Sequence, residues 1–335
     1  MRVMVRGYEH APGRHCGTTA ISRLLHFYGH HVSEPMCLGL GAGLFFYYQA
    51  NDAASPSRLW MGRGPDLETD CLQALGVPVT IRRTHDNAEA WAWVKGEVDG
   101  GRPALIGVDL RWLDYYHTKT HFAGHKVLVI GYDEEAQIAV VGDNEFPVPQ
   151  EVPLASLARA RTETIPPFDL ANDWYEVQIP ATLIPLERAA PEAIVTMARR
   201  MLDDRIPFCG LIAMDAAAHD LPTWGALRDW QWCARFGYQV IEKRGTGGGH
   251  FRKMYAEFLV QCAGYCPDIV RLNLIEQMRV IADGWTDLAM LLREISERET
   301  PSGFDEAGAK LTRLAGLERQ YNETALGCRC VLPAG

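Results

Sequence analysis

The chain has 335 residues, of which 47% are hydrophobic and 22% charged, and its formal net charge at pH 7 is −9. This composition is typical of a folded globular protein and excludes a disordered chain, a collagen and a coiled coil. An acidic total gives no sign of the basic face that general nucleic-acid binding requires. At roughly 100–200 residues per domain, the length predicts about two domains.

Cysteine usage and hydropathy indicate a reduced, cytoplasmic protein. The nine cysteines are an odd number spread over a long chain, which is not the pattern of a dense disulfide framework. No apolar run approaches the roughly 20 residues of a membrane span, and the first residues lack the apolar region of a signal peptide. We therefore expect one or two chemically used thiols and no membrane or nucleic-acid partner. The sequence is compatible with a homo-oligomer as well as with a monomer.

The first half of the chain mixes one short helix with strands. Apolar residues recurring on one face predict a helix over residues 16–28, and Gly29 follows as its terminator. Residues 126–132 and 137–141 read as two strands joined by a short turn. An antiparallel hairpin brings the ends of its strands together. We therefore expect the residues just before the first strand to meet those just after the second.

The second half differs in its proline content and in the spacing of its apolar residues. Several prolines between residues 147 and 185 mark a loop-rich crossing, and apolar residues recur at helical spacing after Pro191. The sequence therefore predicts an α+β fold class, with a first domain over residues 1–165 and a mainly helical second domain over residues 166–335.

Three residues in the first half supply the groups of a cysteine enzyme. Cys16 stands at the start of the predicted helix, where the helix dipole and unpaired N–H donors favour a thiolate. His125 precedes the first hairpin strand and can shuttle a proton, while Asp143 follows the second strand and can fix its tautomer. Singly, each residue is more simply explained as core or surface. Their order and placement favour a papain-like site, in which a helix packs on an antiparallel sheet.

Neighbouring residues leave alternatives open at this stage. His121 is the main rival to His125 as base, and Asn144 is the main rival to Asp143 because hairpin register is uncertain by one residue. His117 extends a series of histidines spaced by four, which on a helix would suit zinc. The strand pattern that follows argues against such a helix, so we predict no metal.

Two further cysteine pairs occur in the second half. Cys262 and Cys266 lie four apart on a predicted helix, and Cys328 and Cys330 lie two apart. Neither pair has the additional ligands of a zinc site. We expect these thiols to be buried or incidental.

Several segments resemble the butirosin biosynthesis protein H family. The segments that carry the resemblance are His15-Cys16-Gly-Thr-Thr-Ala20, Ser33-Glu34, Gly39-Leu-Gly-Ala-Gly43, His125 with the strand to Tyr132-Asp133, Gly142-Asp143, and Arg244-Gly-Thr-Gly-Gly-Gly-His-Phe-Arg252. The last of these is similar to the uncharacterised C-terminal domain that accompanies the family. The resemblance covers most of the chain and is most specific around Cys16.

The resemblance implies a papain-like fold and acyl transfer rather than proteolysis. The family's named member moves an aminoacyl group from a thioester on an acyl carrier protein to an amine of an aminoglycoside antibiotic. By this resemblance Cys16 forms the acyl-enzyme, His125 is the base and Asp143 orients it. The implied partners are an acyl thioester donor, either an acyl carrier protein or a coenzyme A ester, and a small amine acceptor. No cofactor is implied, because amide formation from a thioester is downhill.

One position departs from the papain-like pattern. Papain-like peptidases usually carry a Gln six residues before the cysteine as an oxyanion donor, and His10 occupies that offset here. His10 is therefore a candidate oxyanion donor, with a surface-loop histidine as the alternative. Removing such a donor typically costs about 10²–10³ in rate.

A glycine run in the second half is a candidate donor-binding site. Gly247, Gly248 and Gly249 precede a predicted helix that contains Arg252, and backbone N–H groups at a helix start can hold a phosphate such as that of phosphopantetheine. The alternative is a loop between two helices. A carrier-protein donor would also require a basic patch, since such carriers are usually acidic. Its candidates are Arg199, Arg200, Lys243, Arg244, Arg252 and Lys253. Without such a patch, a coenzyme A ester is the better donor.

Two other functions remain as alternatives. The first is a papain-like cysteine peptidase or amidase, and the second is a non-catalytic module that binds a metabolite. A large second domain that excludes water would favour transfer over hydrolysis. An intact set of Cys, His and Asp argues against a module that only binds.

Overall fold

The computed structural model describes residues 2–165 and 168–329, and it combines helices with antiparallel sheets. The chain forms two compact units, Met1–Cys37 with Gly76–Leu183, and Leu38–Leu75 with Ile184–Gly335. A segment of the first half, residues 38–75, therefore belongs to the second unit. The continuous domain limits 1–165 and 166–335 remain a prediction beside this division.

The strands of the described residues are β1 (Arg2–Met4), β2 (Leu44–Ala50), β3 (Arg58–Arg63), β4 (Val79–Arg82), β5 (Ala104–Val108), β6 (His125–Asp133), β7 (Ile138–Gly142), β8 (Gln150–Pro153), β9 (Thr164–Ile165), β10 (Phe168–Asp169) and β11 (Trp174–Val177). The helices are α1 (Cys16–Phe27), α2 (Glu34–Leu40), α3 (Leu67–Ala74), α4 (Asn87–Asp99), α5 (Leu154–Ala160), α6 (Leu186–Leu202), α7 (Gly210–Asp220), α8 (Trp230–Glu242), α9 (Arg252–Cys262), α10 (Asp268–Arg271), α11 (Leu274–Ser296) and α12 (Phe304–Ala325).

The first unit is built on an antiparallel sheet. Its strand order is β4-β11-β5-β6-β7-β8, with β1 also paired to β6. The predicted hairpin is confirmed as β6 and β7, in which Leu128 pairs with Gly142 and Tyr132 pairs with Ala139. This register places the start of β6 beside the end of β7, which is the meeting point that the sequence predicted.

Helix α1 is confirmed at the predicted place and packs on β6. Its buried face carries Ile21, Leu24 and Leu25, each fully shielded from solvent. The His15 ring caps the first turn, because its Nδ1 accepts a hydrogen bond of 3.2 Å from the backbone N–H of Thr18. After the helix, Gly29 adopts a φ of +86°, a conformation that glycine reaches without strain and that ends the helix.

The core of the first unit lies on both faces of β6. Every residue of this strand is buried except the last, Asp133, which is half-buried. Val127 and Val129 pack in a cluster with Ile106 of β5 and with Val94 of α4. Each such side chain contributes about 1.5–3 kcal/mol when removed from water. A strand covered on both sides is held in one register, and its first residue, His125, is held with it.

The second unit consists mainly of helices α6 to α12 together with the hairpin of β2 and β3. The helical spacing predicted beyond residue 191 is confirmed. Helix α11 packs against α8, α9 and α12, and Trp60, Trp224 and Trp285 fill the interior, each at most 1% exposed. Over the described residues, no helix reaches the combination of length and hydropathy that crossing a membrane would demand.

A buried ion pair joins two of these helices. Arg252 at the start of α9 and Glu318 on α12 are 0% and 1% exposed, and the Arg252 Nε donates to the Glu318 Oε1 over 2.7 Å. The indole N–H of Trp285 donates to the same oxygen over 3.0 Å, and the guanidinium lies 5.3 Å from the Trp285 ring centroid. Buried charges are costly unless they are paired and hydrogen-bonded, so each partner requires the other.

We predict that Glu318→Ala lowers the free energy of unfolding by about 3–5 kcal/mol, because it leaves the Arg252 charge buried without its partner. Glu297→Ala is the matched control, since Glu297 pairs with Arg235 over 3.2 Å at the surface and should cost at most about 1 kcal/mol. Urea denaturation measures both values. Equal losses in the two variants would contradict the assignment of a buried pair.

Candidate active site

Cys16, His125 and Asp143 converge in the first unit. Cys16 is the first residue of α1, His125 is the first residue of β6, and Asp143 directly follows β7. Cys16 and Asp143 line a narrow cleft whose walls also include Tyr8 and His10. The arrangement combines a helix start with two neighbouring strand ends, as the sequence predicted.

Cys16 is in contact with the imidazole of His125. The thiol is shielded, with 7% of the residue exposed, and a hydrogen bond joins its side chain to the His125 ring. On the other side of the ring, His125 Nε2 donates to Asp143 Oδ2 over 2.8 Å. With Nε2 held by Asp143, Nδ1 is the nitrogen left for the thiol. The three groups therefore stand in the order that a cysteine nucleophile, its base and an orienting carboxylate require.

The imidazole is held in its charged form. Burial alone would lower the pKa of His125, but the neighbouring charges of Asp143 and Cys16 outweigh it and raise the pKa to about 10. Burial would likewise raise the pKa of Asp143, and the charge of His125, together with its hydrogen bond, holds that pKa below its usual range. Charge on each partner stabilises charge on the other, which suits a site that alternates between proton donor and acceptor.

Two tyrosines that the sequence analysis missed complete the shell of Asp143. The hydroxyl of Tyr115 donates to Asp143 Oδ2 over 2.8 Å, and that of Tyr116 donates to Asp143 Oδ1 over 3.0 Å. The Phe146 ring packs edge-on against both tyrosines, and the Tyr116 ring stacks edge-on against His125. The sequence offered one indication of these hydroxyl donors, namely two adjacent tyrosines in the segment that leads into the His125 strand.

Glu34 fixes the segment that carries the nucleophile. Its carboxylate accepts from the backbone N–H groups of Arg14 and His15, each at 3.1 Å. It also accepts from the hydroxyl groups of Thr18 at 3.2 Å and Thr19 at 2.8 Å. One carboxylate thus joins the loop before α1 to its first turn. The Ser33-Glu34 pair was part of the sequence resemblance, but the sequence alone gave Glu34 no role.

The Asn144 side chain supports this segment instead of orienting the base. Its Nδ2 donates to the backbone carbonyl of Gly13 over 3.3 Å. In addition, the Gly13 N–H donates to the backbone carbonyl of Asn144 over 2.8 Å. This corrects the alternative in which Asn144, in place of Asp143, contacts the histidine. The bond between Asp143 and His125 resolves the one-residue uncertainty of the hairpin register.

His10 lies in the cleft, where its ring is oriented by a carbonyl. Its Nε2 lies 2.8 Å from the Phe146 carbonyl oxygen, which can only accept, so the neutral ring carries its proton on Nε2. Nδ1 is buried without a partner among the described residues and presents a lone pair. A neutral His10 in this tautomer does not donate to an oxyanion. The oxyanion role stays a prediction that requires a second proton on the ring.

The rival base His121 is engaged in a separate cluster. Its Nδ1 lies 2.6 Å from Asp109 Oδ2, and its Nε2 lies 2.6 Å from the Arg111 guanidinium. His121, Asp109 and Glu163 form the one group of described residues whose side-chain atoms are close enough to hold a metal ion. The positive charge of Arg111 at Nε2 opposes a cation there.

The glycine run of the second unit is already occupied by the protein's own groups. Gly247, Gly248 and Gly249 all have positive φ angles, and the N–H of Gly249 donates to the Glu242 carboxylate over 2.9 Å. Arg252 is completely buried. These contacts correct the prediction for Arg252 and for the Gly249 amide, because the guanidinium lies in the core and an internal carboxylate accepts from that amide. A role of Gly247 and Gly248 in binding a phosphate stays a prediction.

We predict that the pKa of His125 depends on Asp143. Since it is raised from 6.5 to about 10, the charge on His125 contributes stability fully below about pH 6.5, as long as Asp143 stays ionised, and this contribution is lost as pH rises through about 10. Asp143→Asn should lower the pKa of His125 by at least about one unit. NMR titration of histidine-labelled protein measures the pKa. Asp114→Asn, an exposed change in the segment between β5 and β6, is the control, and equal titration curves in both variants would contradict the pairing.

We predict that Tyr115→Phe lowers the free energy of unfolding at pH 7 by about 1.5–3 kcal/mol, the usual contribution of a hydrogen bond to a charged group. The pKa of Asp143 is depressed, so this contribution is present above the ordinary carboxyl range and is lost as pH falls through the folded value. Urea denaturation at several pH values measures both effects. Tyr28→Phe, whose ring packs on Phe27, should change stability by less than about 0.5 kcal/mol. A loss that is equally large at low pH would argue against a bond to the charged carboxylate.

Two family models match the chain. The model described as Butirosin biosynthesis protein H, N-terminal, matches residues 15–144, a range that includes Cys16, His125 and Asp143. The model described as Domain of unknown function (DUF4872) matches residues 155–325. No curated protein matches the chain. The resemblance drawn from the sequence is confirmed: the chain belongs to the family of this domain of unknown function and carries ahead of it the N-terminal domain of butirosin biosynthesis protein H.

Proposed function

We propose that the protein is a cysteine acyltransferase that moves an acyl or aminoacyl group from a thioester, through Cys16, to an amine. The observation that carries the proposal is the continuous contact from the Cys16 thiol to the His125 ring and from that ring to Asp143 over 2.8 Å. A thiolate beside an imidazolium is a nucleophile and a proton donor in one pair. A protein that only bound a metabolite would have no use for this pair.

The first unit is, on this proposal, a papain-like catalytic domain. The nucleophile begins a helix that packs on an antiparallel sheet, and the base and its carboxylate stand at adjacent ends of two strands. These features support the papain-like assignment.

The reaction proceeds in two halves. The Cys16 thiolate attacks the thioester carbonyl, the carbon–sulfur bond of the donor breaks, and the departing thiolate takes the proton of the His125 imidazolium. The acyl group is then a thioester on Cys16. An acceptor amine attacks this carbonyl, His125 takes the amine proton, and the Cys16 thiolate leaves. The balance is one thioester and one amine giving one amide and one thiol, with no cofactor consumed.

The family name supports a place in the biosynthesis of butirosin or of a related aminoglycoside antibiotic. The acceptor on this proposal is an amine of a small natural-product scaffold. A cleft that sheltered the acyl-enzyme from water would favour such an acceptor, because the acyl group would then persist until an amine arrives. The low exposure of Cys16 is consistent with that requirement.

Half of the basic residues proposed to receive a carrier protein are buried or lie beside a carboxylate, so a coenzyme A ester is tested beside the carrier protein. Of the six basic residues proposed to receive a carrier protein, Arg252 is buried, Arg200 pairs with Asp70, and the Lys253 Nζ lies 3.9 Å from Glu242. The other three, Arg199, Lys243 and Arg244, are exposed. Paired cations present a weaker field to an acidic partner. An acyl carrier protein remains the second donor in the experiment.

Intact-mass spectrometry after mixing with a panel of acyl-coenzyme A esters and acyl carrier protein thioesters tests the proposal. We expect an adduct of the acyl mass on the wild-type chain, lost in Cys16→Ala. The adduct should disappear when an aminoglycoside amine is added, with the amide product formed in equal amount. Cys209→Ala is the matched control, because Cys209 is a half-exposed thiol outside the proposed site and should leave the adduct unchanged.

Each other outcome rejects a specific part of the proposal. An adduct that survives Cys16→Ala rejects the nucleophile. Release of free acid with every amine favours the peptidase or amidase alternative. Full activity in Cys16→Ser rejects the role of the thiolate, since a serine hydroxyl does not ionise near neutral pH.

A further inference from the structure

The fold joins one member of each cysteine pair that the sequence left without a role. In the second unit, the Sγ atoms of Cys266 and Cys328 lie 3.7 Å apart, although 62 positions separate them in the chain. Cys266 stands between α9 and α10, and Cys328 follows α12. Both are buried, at 1% and 5% exposure. Two thiols at this distance have to approach by about 1.7 Å to reach the 2.03–2.05 Å of a disulfide bond.

Backbone contacts hold the two sulfurs in this position from both sides. The N–H of Cys266 donates to the Cys262 carbonyl over 2.9 Å, and that of Cys328 donates to the Ala325 carbonyl over 3.0 Å. The N–H of Arg329, the next residue, donates to the Asp268 carboxylate at the start of α10 over 2.9 Å. The contact between the sulfurs is therefore set by the main chain as well as by two side-chain rotamers.

The pair is electronically asymmetric. The hydrogen bond between the two sulfurs is the largest influence on Cys266 and, with the backbone N–H of Ile269, lowers the pKa of that thiol. The same bond and burial raise the pKa of Cys328. One sulfur is thus suited to be the attacking thiolate and the other to be the thiol that resolves the product.

We propose that Cys266 and Cys328 form a reversible disulfide when the protein meets a two-electron oxidant of the peroxide class. The Cys266 thiolate attacks a peroxide oxygen, the oxygen–oxygen bond breaks, and hydroxide leaves and takes up a proton to become water. This gives a sulfenic acid on Cys266. The Cys328 sulfur then attacks the Cys266 sulfur, and the hydroxyl group leaves with the Cys328 proton as a second water. Two thiols and one hydrogen peroxide give one disulfide and two waters.

The bond would constrain the end of the helical unit. It would close a loop that contains α10, α11 and α12, and a cross-link over so long a loop restricts the unfolded chain strongly. The oxidised protein should therefore melt on the order of 10 °C above the reduced one. This inference is independent of the acyl transfer proposed for Cys16.

Oxidation of the full chain in the Cys16→Ala background tests the proposal without interference from the candidate nucleophile. After hydrogen peroxide treatment, we expect a mass loss of two hydrogens that dithiothreitol reverses. Trypsin should then release residues 254–271 and 320–329 as one cross-linked peptide, because cleavage at Arg329 separates Cys328 from Cys330. Calorimetry of the same samples measures the melting shift.

Matched variants make the assignment specific. Cys266→Ser and Cys328→Ser should each abolish the mass change, whereas Cys262→Ser and Cys330→Ser should retain it. A cross-link to Cys262 or Cys330, a bound zinc ion in place of the mass loss, or sulfinic acid as the only product would overturn the proposal. An oxidised protein that melts below the reduced one would overturn it as well, because the sulfurs would then meet only by distorting the helices.

Discussion

The buried charge of Asp143 is the constraint on which the site in the first unit depends. A carboxylate that is 1% exposed is tolerated only if donors surround it, and here His125, two tyrosine hydroxyls and a backbone N–H provide them. Those donors come from the start of β6, the loop before it and the turn after β7. Satisfying one charge therefore fixes three segments at once, and the imidazole takes its orientation from them.

The nucleophile is positioned by a second carboxylate from a different part of the chain. Glu34 gathers the N–H groups and hydroxyls around the start of α1, while Asn144 ties Gly13 to the end of β7. Cys16 is thus located from the helix side and from the sheet side independently. A change in either support moves the sulfur relative to His125, and displacements of about 1 Å in such pairs are costly for reactivity.

The second unit also contains a buried charge that its neighbours must compensate, but here the charge is positive. Arg252 is a buried cation held by Glu318 and by the face of Trp285, and the glycine turn before it approaches so closely that a Cβ on Gly249 would lie 2.8 Å from the Ala282 carbonyl oxygen. Gly249 and Arg252, which suggested an anion site, instead contact groups of the protein itself. A motif rich in glycine and arginine describes local chemistry, and only the neighbours decide whether that chemistry faces a ligand or the core.

The sequence by itself determined the helix at Cys16, the hairpin of β6 and β7, the helical second half and the three residues of the candidate site. Periodicity and turn chemistry are local properties of the sequence. Because the turn between β6 and β7 is short, the antiparallel pairing places His125 near the end of β7. Only the tertiary structure decided that Asp143 rather than Asn144 meets the histidine, because a one-residue change of register reverses the face of every side chain. It also decided the roles of Tyr115, Glu34, Arg252 and the Cys266–Cys328 contact. Each of these rests on partners distant in sequence, whose proximity depends on how the helices and strands pack rather than on local pattern.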